Sequence, residues 1–323
     1  MSIENQINEK IDDLIRKEKY QAALDLLKDN IKKNKSDSRS YYYLSEIFNL
    51  QGKHNESHSY LVNAIECEDV YWEANYKYAN FLNNQQKYEE SIKYYNSAIS
   101  VGGKSFNILT NLSIAQLLLG KINDALESLD EAEKLEANSA RIYDLRGAIF
   151  MAVNDYDKAI SAFTKALNID PNLPYSFHRL GKCYENKGDI KQSEYNYKKA
   201  ITLDNQQSVF HLDLGSLYFK IGNVQAALKN YQLAEKINPN QPVVLNNIGN
   251  CFTSLKENQE AIRYFDKAIE IDENYYKAYI NKSIIMTSIG LYDQALELLN
   301  KSLKINDKSA EAYNNIGITY YGK

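Results

Sequence analysis

Apolar residues along this chain fall into two kinds of stripe that alternate with a fixed period. Counting from Glu4, 34-residue units start at residues 4, 38, 72, 106, 140, 174, 208, 242 and 276, and residues 310–323 open a further unit. Positions 4, 7, 8 and 11 of a unit form one stripe, as in Phe177, Leu180, Gly181 and Tyr184. Positions 17, 20, 21, 24, 27 and 28 form a second, as in Tyr156, Ala159, Ile160, Phe163, Ala166 and Leu167. Spacings of three and four place residues on one face of a helix, whereas a strand would alternate every second residue. Each unit is therefore expected to be two antiparallel helices, a first and a second.

Two columns carry the packing. Position 20 is small in every unit: Ala23, Ser57, Ser91, Ala125, Ala159, Ser193, Ala227, Ala261 and Ala295. Position 24 is large and apolar: Leu27, Leu61, Tyr95, Leu129, Phe163, Tyr197, Tyr231, Phe265 and Leu299. Small residues at positions 8 and 20 let the two helices approach, and the large residue at 24 fills what remains. Ten of the thirteen glycines fall at position 8 or position 15, the second being where the first helix must end and turn. The four prolines, Pro171, Pro174, Pro239 and Pro242, lie at the joints between units. Positions 3, 10 and 30 are mostly apolar and point away from the partner helix, so they are expected to meet the next unit and build one continuous core.

These residues carry a family resemblance. The W-x2-L-G-x2-Y, A-x3-F, A and P pattern of the tetratricopeptide repeat is matched by Phe177, Leu180, Gly181 and Tyr184, then by Ala159, Phe163, Ala166 and Pro171 of the neighbouring unit. Resemblance to that family implies an all-α solenoid, a right-handed superhelix of about nine and a half repeats filling residues 1–323 as one domain. Its repeats would be 4–37, 38–71, 72–105, 106–139, 140–173, 174–207, 208–241, 242–275, 276–309 and a partial 310–323. It also implies that the first helices line a concave face that binds peptides or protein segments. Asn75 and His211 depart from the aromatic or apolar residue of position 4.

The two ends differ. The first helix of the first unit has only Ile7, Ile11, Leu14 and Ile15 as its stripe, as expected of a cap with one side in water. At the other end Tyr313, Ile316, Gly317 and Tyr320 follow the frame of an internal first helix. The natural chain is therefore expected to continue past Lys323, and self-association through an uncapped end is an alternative use of the same surface.

Composition narrows the partners. There are 38 lysines and arginines against 42 aspartates and glutamates, without long runs of one sign, which disfavours nucleic acid as the ligand. No stretch reaches the roughly 18 apolar residues that span a bilayer, so membrane insertion is not expected, and the chain is read as cytoplasmic. Three cysteines without paired spacing do not make a disulfide framework. Cys67, Cys183 and Cys251 occupy apolar columns and are expected in the core. His54 and His58 share a helix face, but Glu56 stands one place too late for a zinc-protease helix, so partial burial is expected rather than a metal site. No catalytic residue, metal or cofactor is predicted.

Positions 2, 5, 6, 9, 12 and 13 of the first helices lie off the core stripe and vary between units, as a recognition surface would. The expected groove residues are Tyr42, Tyr76, Asn80, Asn111, Leu117, Met151, His178, Arg179, Lys182, Phe219, Asn246, Asn247, Asn250 and Asn281. An amide carries donors and an acceptor, so a row of asparagines can pair with the backbone of an extended peptide, and here the row resembles that of O-linked N-acetylglucosamine transferase. The clamp that holds chaperone tails in this family is not expected, because Tyr76 and Leu145 stand where cations are needed, beside Asn80, Asn111 and Arg141. The expected function is a non-enzymatic scaffold that binds a protein segment. The alternative is the substrate-recruiting arm of a larger enzyme, such as a glycosyltransferase.

Overall fold

The structure, a computed structural model, describes residues 3–323, with side chains from Glu9 onward. The chain divides into two compact units between Asp155 and Tyr156. The first holds α1 (Ile3–Arg16), α2 (Tyr20–Lys33), α3 (Ser38–Leu50), α4 (His54–Ile65), α5 (Trp72–Asn84), α6 (Tyr88–Ala98), α7 (Phe106–Leu118), α8 (Ile122–Leu135) and α9 (Ala140–Ala152). The second holds α10 (Tyr156–Ile169), α11 (Pro174–Asn186), α12 (Ile190–Leu203), α13 (Ser208–Lys220), α14 (Val224–Ile237), α15 (Pro242–Ser254), α16 (Asn258–Ile271), α17 (Tyr276–Ser288), α18 (Tyr292–Ile305) and α19 (Ala310–Gly322). Among the described residues no β-strand occurs.

Helix starts follow from local chemistry. Pro174 and Pro242 open α11 and α15, where a missing N–H costs nothing. Asp37, Ser105, Asp189, Asn223 and Ser309 cap the helices that follow by accepting a backbone N–H. The first helices end on a left-handed residue at position 15, which is Glu18, Gly52, Gln86, Gly120, Asn154, Gly188, Gly222, Lys256 or Gly290, with φ between 56° and 80°. At Lys256 the turn is closed as it is at glycine: Lys256 N donates to Thr253 O at 3.0 Å and Glu257 N to Phe252 O at 2.9 Å. The sequence pattern marked only the glycines, yet Glu18, Gln86, Asn154 and Lys256 adopt the same strained conformation.

The core lies where the two columns put it. All nine position-24 residues are at most 3% exposed, and all nine at position 20 at most 7%. Burying each large one contributes roughly 1.5–3 kcal/mol. A Cβ added to Gly181 would lie 2.8 Å from the Tyr197 ring, and one added to Gly249 would lie 2.5 Å from Phe265. In α1, Ile11 is buried against Leu24, Leu27 and Leu44, while the Ile7 side chain lies outside those described.

Three expectations need correction. Position 30 is not core: Val101, Leu135, Ile169 and Leu203 are 40–52% exposed. It falls at the end of the second helix or just past it, where the chain is already leaving and the residue is only partly covered. For the same reason Cys67 is only partly buried, its thiol bonded to Asn63 O, while Cys183 and Cys251 are fully buried. His54 is exposed, and only His58 is partly buried, stacked on Phe81 with ring centroids 4.3 Å apart.

Relieving the strained turn is expected to stabilise the fold. Lys256→Gly should raise the unfolding free energy by about 1 kcal/mol in urea denaturation, with Gly188→Ala lowering it by a similar amount. The glycine notch gives a second contrast. Gly249→Ala should cost about 1–3 kcal/mol through overpacking on Phe265, whereas Gly317→Ala, whose added carbon meets no atom within 4 Å, should be neutral or stabilising in the same assay.

Candidate binding faces on the first helices

A recurrent side-chain contact joins successive first helices: position 6 of one reaches back to positions 5 and 9 of the one before. In the first unit Lys77 of α5 forms an ion pair with Glu46 of α3. Asn111 of α7 donates to the Tyr76 hydroxyl at 3.1 Å and to Asn80 Oδ1 at 3.0 Å. Asn80 Oδ1 also accepts the Tyr95 hydroxyl at 2.6 Å, and Arg141 donates to Asn111 Oδ1 at 2.7 Å. In the second unit Asp213 of α13 meets His178 Nε2 at 2.8 Å and Lys182 Nζ at 3.5 Å. Asn281 of α17 donates to Asn246 Oδ1 at 2.9 Å. The same geometry thus accepts an ion pair, an amide pair or a carboxylate with histidine.

These contacts set local electrostatics. Burial alone would push the Asp213 carboxyl up, but the His178 hydrogen bond and the Lys182 charge outweigh it and hold the carboxyl below its ordinary range. Burial pulls Lys77 down from the usual ammonium value. It pushes the Tyr42 phenol up, with the Glu73 carboxylate adding to the effect. Burial also raises the Cys183 thiol to about 11 and the Cys251 thiol to about 12, which keeps both protonated near neutral pH. Among the described residues, no group of three or more His, Cys, Asp or Glu side chains could hold a metal ion, and no helix is long and apolar enough to cross a membrane.

Two clefts gather the expected groove residues. In the first unit a cleft of about 730 Å³ opens between α3 and α5, with Ser57, His58 and Leu61 of α4 as its floor. Tyr42, Tyr76 and Asn80 line it, joined by Glu46, Trp72 and Lys77, which the sequence reading did not single out. Glu46 and Lys77 sit at positions 9 and 6 and could have been found by looking for opposite charges 31 residues apart. Trp72 sits at position 1, outside the columns considered. In the second unit a cleft of about 270 Å³ brings together Asn246, Asn247, Asn250 and Asn281, with Lys277 and Glu311 at its edge.

The remaining expected residues are placed differently. Leu117 is partly buried against the core around Leu109 and Leu129, and Phe219 against that around Val244 and Leu245. Met151 and Arg179 are partly buried, and Lys182 is exposed. His178 is 8% exposed and packs on Phe210 and Tyr197, so it is as much core as surface.

Comparison with known proteins agrees with this architecture. The profile of the tetratricopeptide repeat matches residues 73–101, 174–207, 210–241 and 242–275, and a related repeat profile matches 147–188 and 285–323. The chain belongs to the tetratricopeptide repeat family. Among curated members, the Hsp70-Hsp90 organizing protein of Triticum aestivum is 29% identical over 120 residues, 36% of this chain and 21% of that protein. BBSome complex member BBS4 of Mus musculus is 26% identical over 175 residues, 53% of this chain and 32% of that protein. The matched region thus covers no more than about a third of either relative. The structure of Pseudomonas aeruginosa pilF superposes with a TM-score of 0.58 at 16% identity, over 65% of this chain and 95% of that one, a likeness of fold.

The Asp213 joint gives a pH test. With a depressed folded pKa, its stabilisation is present above the unfolded value of about 3.9 and is lost as the pH falls below it. Asp213→Asn should cost about 1–3 kcal/mol at pH 7, and the gap to the parent protein should close below about pH 3.9 in denaturant titrations run at each pH.

Proposed function

We propose that this tetratricopeptide repeat chain is a non-enzymatic scaffold that holds an extended segment of a partner protein along its first-helix faces. Side-chain amides would pair with the partner's backbone, and apolar side chains such as Leu117, Met151 and Phe219 would contribute contact at the edges. One observation carries this most directly. The amides of Asn247 and Asn250 face the cleft of the second unit and make no hydrogen bond to protein atoms among the described residues. An amide held on a rigid helix without a partner offers two donors and an acceptor to a ligand backbone.

Support also comes from the relatives. An organizing protein for Hsp70 and Hsp90 and a member of the BBSome complex are, by their names, proteins that work by assembling with others. The protonated, buried thiols of Cys183 and Cys251 are suited to packing rather than to nucleophilic chemistry. Asn111 and Asn281 have a double role, since each already bonds a neighbouring first helix.

Binding can be tested without disturbing those joints. Peptides selected from a random display library on the intact protein should lose about thirtyfold in affinity for the Asn247→Ala, Asn250→Ala double variant, as two lost hydrogen bonds of roughly 1 kcal/mol each require. Acidic peptides with a free carboxy-terminus should not be enriched over their amidated forms. Selected peptides that bind the double variant and the parent equally, by calorimetry, would remove the amide-groove model.

A further inference from the structure

The cleft of the first unit differs in chemistry from the amide-lined cleft of the second. Its polar groups are largely engaged with one another. Glu46 pairs with Lys77, Glu73 accepts the Tyr71 hydroxyl at 2.7 Å, and Asn80 Oδ1 accepts both Tyr95 and Asn111. What they leave for a ligand is mostly carbon, from the rings of Tyr42, Trp72, Tyr76 and Phe81 and from Leu61, beside the buried His58 Nδ1, which has no hydrogen-bond partner among the described residues. At its rim, the amides of Asn49 and Asn84 make no hydrogen bond to protein atoms among the described residues.

The next repeat shows what is missing. There the position-24 residue is Tyr95, fully buried, and its hydroxyl closes on Asn80 at position 9. In the cleft the same position is Leu61, one of four leucines in that column, which has no ring and no hydroxyl, and here it is paired with Glu46 at position 9 in place of the Asn80 amide. The space stays open, at about 730 Å³, within the ~300–1,000 Å³ of sites that enclose small ligands. Tyr42 at its wall already makes edge-on contacts, with Tyr71 at 5.3 Å and 66° and with Tyr43 at 5.5 Å and 64°. Another ring is the occupant such walls favour. Among the carboxylates and lysine of the lining, Glu46 and Glu73 outnumber Lys77, which disfavours acidic neighbours.

We infer that this cleft is an anchor site for one large aromatic side chain of an extended, non-acidic partner segment, with Asn49 and Asn84 holding the backbone on either side of it. The inference rests on the proposed function and adds to it the chemistry of the residue recognised.

Trp72 is the only tryptophan of the chain, so its indole N–H gives a single cross-peak in a ¹H–¹⁵N spectrum and reports on the wall of this cleft. The full chain is titrated with N-acetyl-phenylalaninamide, N-acetyl-leucinamide and N-acetyl-alaninamide, then with N-acetyl-Lys-Phe-amide and N-acetyl-Asp-Phe-amide. The expected result is saturable movement of the indole signal with the phenylalanine probe, at least fivefold weaker with leucine and absent with alanine. The lysine dipeptide should bind at least threefold more tightly than the aspartate one. Leu61→Tyr, which supplies from within the ring found at Tyr95, should abolish the response; Tyr42→Ala, which removes a wall, should weaken it at least fivefold and serves if the first variant does not fold.

An unmoved indole signal, an equal response to alanine, or an unchanged response in both variants would overturn the anchor site. If the display-selected peptides still bind through Asn247 and Asn250, that failure leaves the proposed function standing. Conversely, phenylalaninamide binding here with no selected peptide ever shifting the indole would overturn the assignment to a protein segment and make the cleft a site for free aromatic small molecules.

Discussion

The fold depends on a small residue of a first helix lying under a large one from the second helix of the same repeat. Gly249 under Phe265 and Gly215 under Tyr231 are the closest cases, with ring carbons where a methyl group would otherwise sit. That approach sets the helix spacing, and the spacing decides which other side chains can touch. Because each pair buries only one of its faces internally, positions 3 and 10 meet a neighbouring repeat; Ala74 packs with Leu61 and Ala64, Ile108 with Tyr95 and Ala98, and Ala74, Ile108, Val244 and Cys251 are all at most 1% exposed.

With the helices at that spacing, the off-core face of each first helix lies within reach of its neighbour. The position-6 side chain therefore becomes both a joint and a surface. Glu46 with Lys77, Asn80 with Asn111, His178 and Lys182 with Asp213, and Asn246 with Asn281 are chemically different answers to one geometric demand. A ligand on these faces meets side chains already held in place, which lowers the entropy lost on binding. It also means that substituting those residues disturbs the joints, whereas the side-chain amides of Asn247 and Asn250 make no hydrogen bond to protein atoms among the described residues.

The two clefts show how residues that vary between repeats change the chemistry of the first-helix face. Where Leu61 and His58 stand beneath Tyr42, Trp72 and Tyr76, aromatic walls surround open space. Where asparagines accumulate at positions 5, 6 and 9, the cleft is smaller and amide-lined. Periodicity builds the support, and the irregular residues give each stretch of the face its own chemistry. The departure at His211 fits the same view: it is 6% exposed yet lines a third cleft, beside Leu233 and Lys236.

Helix class, the 34-residue spacing of helix starts, the buried columns at positions 20 and 24 and the glycine turns were legible in residue order alone. Each is a local or strictly periodic constraint: helix faces repeat every three to four residues, and left-handed turns favour glycine. Four turns without glycine, the exposure of position 30 and the partial exposure of Cys67 were not legible, because each depends on how the chain leaves one helix for the next. The ties between side chains 31 and 35 residues apart, and the gathering of Trp72, Leu61 and Tyr42 around one cleft, were decided only in three dimensions. Residue order states which side chains are available on a face, but distances across the gap between helices are fixed by packing, and only packing determines which of them meet.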